Sequence, residues 1–479
     1  MMLRYLFLFI LICFHTLVFA QQDLGEKINK VFSREVYKNA QTGISIIDNT
    51  TGNVLYESNH QKLFIPASVM KLVTTASALE ILGPNYRFKT RLYYSGKIEN
   101  GILNGDLIIV GGGDPALGSD YFPEFYFTPH FLEKWARLIG EAGITSVAGR
   151  VVTDNSFYSN EQIPPTWNWE DIGNYYGAGA NALAYHDNLL KITFQSPASP
   201  GMLTRIVSID PEVKELSWQN EVRSSDIPRD RAYVFGSPID NRRIIRGTIP
   251  KNRSSFTIKA SNPYPEKTLT EEFARHLSRV GIHVSGNISQ EKVLLQNMKL
   301  LAELQSPILS EIIKVVNHES VNLFAEHLVM QIAAEANGLG DRTVGLNLIS
   351  EFWEEKGMNT SELFMEDGSG LSHFNAVTPS FINSMLRYMK ITSTYSNQFF
   401  ESLPVAGTGT LKAFNAPYFL ENSLRLKSGS MKRIRCYAGY IITQSGKDLS
   451  VAILINHFDG NHSKLMSELE KIFIEIGKE

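Results

Sequence analysis

The chain has 479 residues, of which 43% are hydrophobic and 20% are charged. This composition is close to that of ordinary folded proteins, so it excludes intrinsic disorder as the main state. The 46 basic and 49 acidic side chains nearly balance, which argues against a nucleic-acid-binding protein that relies on a basic surface.

The first twenty residues have the pattern of a secretory signal peptide. Arg4 is the only charge, an apolar run fills residues 5–14, and Ala20 offers a small side chain for cleavage. The alternative is an uncleaved membrane anchor, but His15 and Thr16 end the run short of the roughly 20 apolar residues of a span. We therefore predict an exported protein, periplasmic or otherwise extracytoplasmic, that is soluble after cleavage and has at most peripheral membrane contact.

The regions near the two ends of the remaining chain predict helices and strands. Gly83-Pro84 is a typical stop after a helix, and apolar runs of strand length recur near the C-terminus. The predicted elements are, in chain order, strands at 43–48 and 54–58, a helix at 68–82, helices at 308–336 and 342–356, strands at 423–429, 436–443 and 449–456, and a helix at 463–476.

Between these regions, the chain predicts short strands and turns. Two segments there are similar, because a helix-like stretch, a Gly-Ile pair and a Val-x-Gly triplet follow one another at 132–149 and again at 269–286. We therefore predict one discontinuous domain, formed by residues 21–90 and 300–479. It is split by an insertion at 91–299 that consists of one or two sub-domains.

The predicted helix at 68–82 carries an energetically costly lysine. Apolar residues occur all around this helix, which predicts that it is buried in a core. A buried ammonium group is disfavoured, and a cation in the first turn opposes the helix dipole, so Lys71 can spend time as a neutral amine. Ser68 lies on the same helix face, where that amine could take its hydroxyl proton. The alternative is a serine N-cap with a lysine that reaches solvent.

Two further short motifs lie in the second half of the chain. Ser320 and Asn322 form an S-x-N pattern within a predicted helix, and Lys427, Ser428 and Gly429 form a K-S-G pattern at the end of a predicted strand. Alternation along that strand turns the lysine away from the leucines, and a glycine lets a ligand approach the backbone. Taken alone, Ser320 and Asn322 could be solvated helix positions, and Lys427 could be a charge at the edge of a strand. The order S-x-x-K, S-x-N, K-S-G in an exported protein is much less easily accidental.

This ordered set resembles the penicillin-binding protein and serine β-lactamase superfamily. Ser428 is an accepted variant of that pattern, whereas Val321 stands where class A β-lactamases have Asp. Longer stretches resemble the class C low-molecular-mass penicillin-binding proteins, the D-alanyl-D-alanine carboxypeptidase/endopeptidases. These stretches are Ile65–Lys71, Asp106–Pro115, Asp367–Ser372, Val377–Pro379, Leu403–Gly407 and Gly409–Leu411.

The resemblance implies an α+β fold. Residues 21–90 and 300–479 would form a penicillin-binding/serine β-lactamase-like transpeptidase domain, in which helices flank an antiparallel sheet. The segment 91–299 would be the large, mainly β insertion that this class carries between its first and second motifs.

The resemblance also implies roles for the first two motifs. Ser68 would attack the carbonyl of a D-Ala–D-Ala or D-Ala–diaminoacid peptide bond, and Lys71 is the favoured base. Ser320 would relay the proton toward the leaving amine, and Asn322 would hydrogen-bond the substrate amide.

The third motif would bind the substrate. Lys427 would attract the terminal carboxylate, Ser428 could hydrogen-bond it, and Gly429 would lie beside the ligand. The backbone N–H groups of Ser68 and Ser430 would form the oxyanion hole. Water would then release the acyl-enzyme, and no metal or organic cofactor is needed.

The implied function is that of a serine D,D-peptidase. It would act on peptidoglycan stem peptides and cross-links, as a carboxypeptidase, an endopeptidase or both, and β-lactam antibiotics such as penicillin would inhibit it. One alternative is a serine β-lactamase of the same fold. The other is a catalytically silent scaffold that binds peptidoglycan.

Overall fold

The structure is a computed structural model that describes residues 24–127 and 130–479. The predicted signal peptide at 1–20 lies outside the described residues. Within the described ranges, no helix is long and apolar enough to cross a membrane.

The strands fall mainly in the middle of the chain and near its two ends. They are β1 Gln41–Asp48, β2 Val54–Ser58, β3 Lys89–Tyr94, β4 Lys97–Glu99, β5 Ile102–Asn104, β6 Leu107–Val110, β7 Ser146–Val147, β8 Val151–Asp154, β9 Leu189–Ser196, β10 Arg205–Asp210, β11 Ser217–Ser225, β12 Arg231–Ser237, β13 Asp240–Pro250, β14 Arg253–Ser261, β15 His283–Val284, β16 Ile288–Gln290, β17 Lys299–Gln305, β18 Leu363–Phe364, β19 Ala376–Val377, β20 Leu424–Met431, β21 Ile434–Ile442 and β22 Asp448–Asn456.

Most of the described helices lie before or after the strand-rich middle, and four of them lie within it, between residues 123 and 279. They are α1 at 24–32, α2 Met70–Leu82, α3 Pro123–Tyr126, α4 Phe131–Glu141, α5 Trp169–Ile172, α6 Pro265–Arg279, α7 Leu309–Glu319, α8 Asn322–Asn337, α9 Arg342–Glu355, α10 Pro379–Ile391, α11 Ser396–Glu401 and α12 His462–Gly477.

The described chain forms two compact units. The first contains the residues up to Glu80 together with Ile313–Ser320 and Ile349–Glu479. The second contains Ile81–Ile312 and Val321–Leu348. Each unit is therefore discontinuous in sequence.

An antiparallel sheet is the centre of the first unit. Its strand order is β2-β1-β22-β21-β20, which leaves β20 at one edge. Ile44 and Ile46 point to one face, where they join a buried apolar cluster with residues of α1 and α12. Ser45, between them, points to the other face and accepts a hydrogen bond from Asn383 of α10. Alternation along β1 thus gives the sheet helices on both faces and confirms the predicted α+β fold.

Helix α2 is buried around most of its circumference, as its all-round apolar sequence predicts. Its polar side chains are hydrogen-bonded within the unit, for example Ser77, whose hydroxyl accepts the indole N–H of Trp353 at 2.8 Å. Such pairing offsets the cost of burying polar groups in a core.

The second unit is rich in strands and contains several sheets. The two similar segments noted in the sequence each fold as a helix followed by two short strands, α4-β7-β8 and α6-β15-β16. Their strands pair with one another in parallel, β7 with β15 and β8 with β16. A separate apolar cluster lies among β9 to β14 and includes Phe194, Val222 and Ile245.

Candidate active site

Ser68 and Lys71 meet at the start of α2. Ser68 lies in a single 3₁₀ turn, Ala67–Val69, directly before the helix, and Lys71 is in the first turn of α2. The Lys71 Nζ is 3.0 Å from the Ser68 Oγ, although the lysine side chain is fully buried. A hydroxyl and an amine at this distance can exchange a proton directly.

The segment before Ser68 is held by a side chain that the sequence analysis missed. Asn456, which ends β22, accepts the Ile65 N–H at 2.8 Å and donates its own amide to the Ile65 carbonyl at 3.0 Å. Ala67 has a left-handed φ of 48°, which is unfavourable for a residue with a Cβ. The only signal for Asn456 was an amide at the end of an apolar, buried strand.

Ser320 lies between two helices, so the prediction that it lies inside one is wrong. Helix α7 ends at Glu319, Ser320 has a φ of 62°, and α8 begins at Asn322. A left-handed residue cannot continue a right-handed helix. The chain therefore turns at Ser320, whose Oγ accepts a hydrogen bond from the Lys427 Nζ at 2.9 Å.

Lys427 is fully buried on β20. Leu424 and Leu426 join the apolar cluster on one face of the sheet, and Lys427 points to the other face, where its Nζ also donates to the Ser428 carbonyl at 2.9 Å. Burial holds the pKa of Lys427 well below its ordinary value; Lys71, whenever it is protonated, and Arg435 lower it further. The neutral and charged forms of this amine are therefore closer in free energy than for an exposed lysine.

Gly429 allows the edge strand β20 to approach the turn that carries Ser68. A Cβ at this position would lie 2.4 Å from the Pro66 carbonyl oxygen and 3.1 Å from the Ser68 nitrogen. Only glycine leaves room for this approach. Ser428, before it, is buried and Ser430, after it, is exposed.

Lys71 has a second close partner, which the sequence analysis did not identify. Its Nζ donates a hydrogen bond to the backbone carbonyl of Ser369 at 2.6 Å. This partner is 298 positions away and uses no side-chain atom, so no residue type could have indicated it.

The predicted site residues thus fall into two groups. The first unit brings together Ser68 and Lys71 with the later motif residues Ser320, Lys427 and Gly429, with Ser428 and Ser430 on either side of the glycine. Asn322 is the first residue of α8, in the second unit, and its side-chain amide donates to the Tyr176 carbonyl at 2.8 Å.

The described residues contain no group of three or more His, Cys, Asp or Glu side chains arranged to hold a metal ion. A cavity of about 650 Å³ in the second unit is lined by His130, His186 and His276, among side chains of both charges. It contains none of the predicted site residues.

Comparison with protein families identifies the chain. A sequence model of the D-Ala-D-Ala carboxypeptidase 3 (S13) family matches residues 24–472. The chain belongs to this family. As an S13 member it is a serine-type D-Ala-D-Ala peptidase, which confirms both the resemblance and the activity predicted from the motifs.

S13 relatives match over most of their length. The D-alanyl-D-alanine carboxypeptidase of Actinomadura sp. (strain R39) is 27% identical over 452 residues, which are 91% of this chain and 82% of that protein. The crystal structure of penicillin binding protein 4 from Haemophilus influenzae is similar with a TM-score of 0.81 and 21% identity, over 94% of this chain and 99% of that one. The same protein in complex with a β-lactam is similar with a TM-score of 0.76, 21% identity and the same coverage. These likenesses confirm the predicted penicillin-binding fold.

Proposed function

We propose that this S13 peptidase cleaves the peptide bond after D-Ala in peptidoglycan stem peptides and cross-links, through an acyl-enzyme on Ser68. The observation that carries the proposal is the 3.0 Å distance between the Ser68 Oγ and the buried Lys71 Nζ. In the first step the Oγ bonds to the carbonyl carbon while its proton passes to the neutral amine of Lys71. The carbonyl oxygen then carries the negative charge of a tetrahedral intermediate.

Collapse of that intermediate breaks the C–N bond. The leaving amine must gain a proton, and the Ser320 hydroxyl is our candidate to deliver it. Its hydrogen bond to the buried Lys427 supports this role, because a second amine can replace the proton that the hydroxyl gives away. Water then attacks the ester carbon and gives up a proton, the bond between that carbon and the Ser68 Oγ breaks, and the Oγ takes up a proton. Transfer of the proton gained by Lys71 back to Lys427 returns both amines to their starting states.

The oxyanion and the substrate carboxylate need separate partners. We assign the oxyanion to the backbone N–H groups of Ser68 and Ser430, of which one donor is typically worth about 2.7–4 kcal/mol. The close approach of Gly429 to the Ser68 nitrogen supports this pairing. We assign the carboxylate to Lys427 and Ser428, because β20 is an edge strand that a peptide can approach.

Three further assignments complete the proposal. Asn322 would hydrogen-bond the substrate amide. Residues 21–90 and 300–479 would form the catalytic domain, with the insertion at 91–299. Cleavage after Ala20 would release the enzyme into the periplasm or an equivalent space, where its peptidoglycan substrate and β-lactams are accessible.

The decisive experiment is covalent labelling by fluorescent penicillin. We expect Ser68→Ala to abolish labelling while the circular dichroism spectrum and melting temperature stay close to those of the wild type. Undiminished labelling of the folded variant would refute Ser68 as the nucleophile.

Incubation with purified cross-linked and uncross-linked muropeptides then measures endopeptidase against carboxypeptidase activity. A penicillin adduct that turns over rapidly would instead favour the β-lactamase alternative.

A further inference from the structure

A buried carboxylate organises the loop at 367–375. Asp367 is fully buried. Its Oδ1 accepts the Gly370 N–H at 2.6 Å and the Asn375 side-chain amide at 2.9 Å, and its Oδ2 accepts the Ser372 N–H at 2.6 Å. Hydrogen bonds to a charged acceptor are about twice as strong as neutral ones. One side chain therefore fixes the backbone of the residues that follow it.

The same loop contacts the chain at two points, one in the turn before α2 and one in α2 itself. Gly370 has a φ of 81°, and a Cβ there would lie 1.9 Å from the Ala67 carbonyl oxygen, so the loop touches the turn that contains Ser68. The Thr74 Oγ, on α2, donates to the Gly368 carbonyl at 2.7 Å. The Thr74 hydroxyl and the Asp367 carboxylate thus hold nearby residues of the same loop.

The carbonyl that contacts Lys71 belongs to Ser369, which lies between these two contact points. The Ser369 oxygen accepts an N–H from the Lys71 Nζ at 2.6 Å, while the Ser68 Oγ is 3.0 Å from the same nitrogen. A carbonyl oxygen can only accept hydrogen bonds. In a neutral amine that donates one N–H to this oxygen, the lone pair must point elsewhere, and Ser68 is a close partner that can supply a proton to it.

We propose that Asp367 and Thr74 are positioning residues for the acylation step. They hold the Ser369 carbonyl against Lys71 and so orient the amine to accept the proton of Ser68. This inference rests on the roles proposed above for Ser68 and Lys71. Both positioning residues are fully buried, so we expect each to act on the rate of bond formation and not on substrate binding.

The test separates these two quantities by stopped-flow acylation with fluorescent penicillin. Fitting the observed rate against penicillin concentration gives the dissociation constant of the first complex and the acylation rate constant. Thr74→Val keeps the shape of the side chain and removes its donor. We expect the acylation rate constant to fall roughly 10- to 100-fold, because small misplacements of reacting groups have effects of this size. The dissociation constant should change less than about twofold.

Conservative and control variants distinguish positioning from general damage. Thr74→Ser restores the hydroxyl and should restore the acylation rate, while Asp367→Asn should lower it as Thr74→Val does. Asp448→Asn is the matched control, since Asp448 accepts the Asn49 amide at 2.8 Å and pairs with Lys390 at 3.0 Å. It starts β22, at the opposite end of that strand from Asn456, and should reduce stability without slowing acylation.

Two results would overturn the inference. One is a folded Thr74→Val enzyme that acylates at the wild-type rate. The other is a loss of rate in Asp448→Asn as large as that in Asp367→Asn, which would make the effect one of stability. If Asp367→Asn does not fold, the Thr74 pair decides alone. Labelling of Ser68→Ala would instead refute the proposed nucleophile, so the two failures are distinguishable.

Discussion

Replacing Gly429 with alanine should displace β20 from the turn that carries Ser68 and change little in the rest of the structure. The added Cβ would lie 2.4 Å from the Pro66 carbonyl oxygen, so the edge strand or that carbonyl must move by at least about 0.6 Å to reach even the closest tolerated contact. Neither can move easily. Gly429 is paired with Cys436 in the sheet, and both backbone groups of Ile65, next to Pro66, are hydrogen-bonded to Asn456.

The expected magnitude follows from this crowding. Overpacking of a tight contact typically costs about 1–3 kcal/mol of stability. A shift approaching 1 Å in the reacting geometry can lower a rate by up to about 100-fold. We therefore expect Gly429→Ala to acylate with penicillin roughly 10- to 100-fold more slowly than the wild type.

The assay is the second-order rate of acylation by fluorescent penicillin, measured beside a thermal melt. Gly477→Ala is the matched control, because a Cβ at Gly477 meets no described heavy atom within 4 Å beyond its chain neighbours and the backbone of its own helix. It should leave the acylation rate unchanged. A Gly429→Ala enzyme with wild-type acylation and melting temperature would refute the close-packing argument.

Two predictions concern stability. Asn456→Ala removes both hydrogen bonds to the half-buried Ile65, whose carbonyl keeps only the weak Cys436 thiol donor at 3.5 Å. The free energy of unfolding should therefore fall by about 1–3 kcal/mol in urea titrations; a loss below about 0.5 kcal/mol would contradict this. His327 is fully buried, accepts the Asn181 N–H, and has its pKa lowered by burial from 6.5 to about 4. Because the unfolded chain binds this proton first, the wild type should lose about 3 kcal/mol more than His327→Gln between pH 7 and pH 4, and parallel stability curves would refute it.

The sequence predicted those parts of the site that local patterns determine. Helical spacing alone places Ser68 beside Lys71, and strand alternation alone turns Lys427 away from Leu426. The strands around them were also predicted within a few residues, because apolar alternation and turn residues are local signals.

The sequence could not predict what depends on distant contacts. Residues 309–337 contain no glycine or proline before Asn337, so nothing local indicated that the helix breaks at Ser320. The Ser369 carbonyl is a backbone atom, which every residue has. Asn456 contacts a segment 391 positions away. In each case the partner, not the residue itself, determines the role.

The left-handed backbone at Ala67 and Ser320 has an evolutionary consequence. A left-handed conformation costs a residue with a side chain roughly 1–2 kcal/mol, and glycine would escape most of that penalty. This cost is carried by Ala67, the residue before Ser68, and by Ser320 itself, and both conformations set the direction of a hydroxyl group in the site. Selection for stability alone would therefore favour glycine at these two positions. A laboratory search for heat-tolerant variants could then select enzymes that are more stable but turn over more slowly.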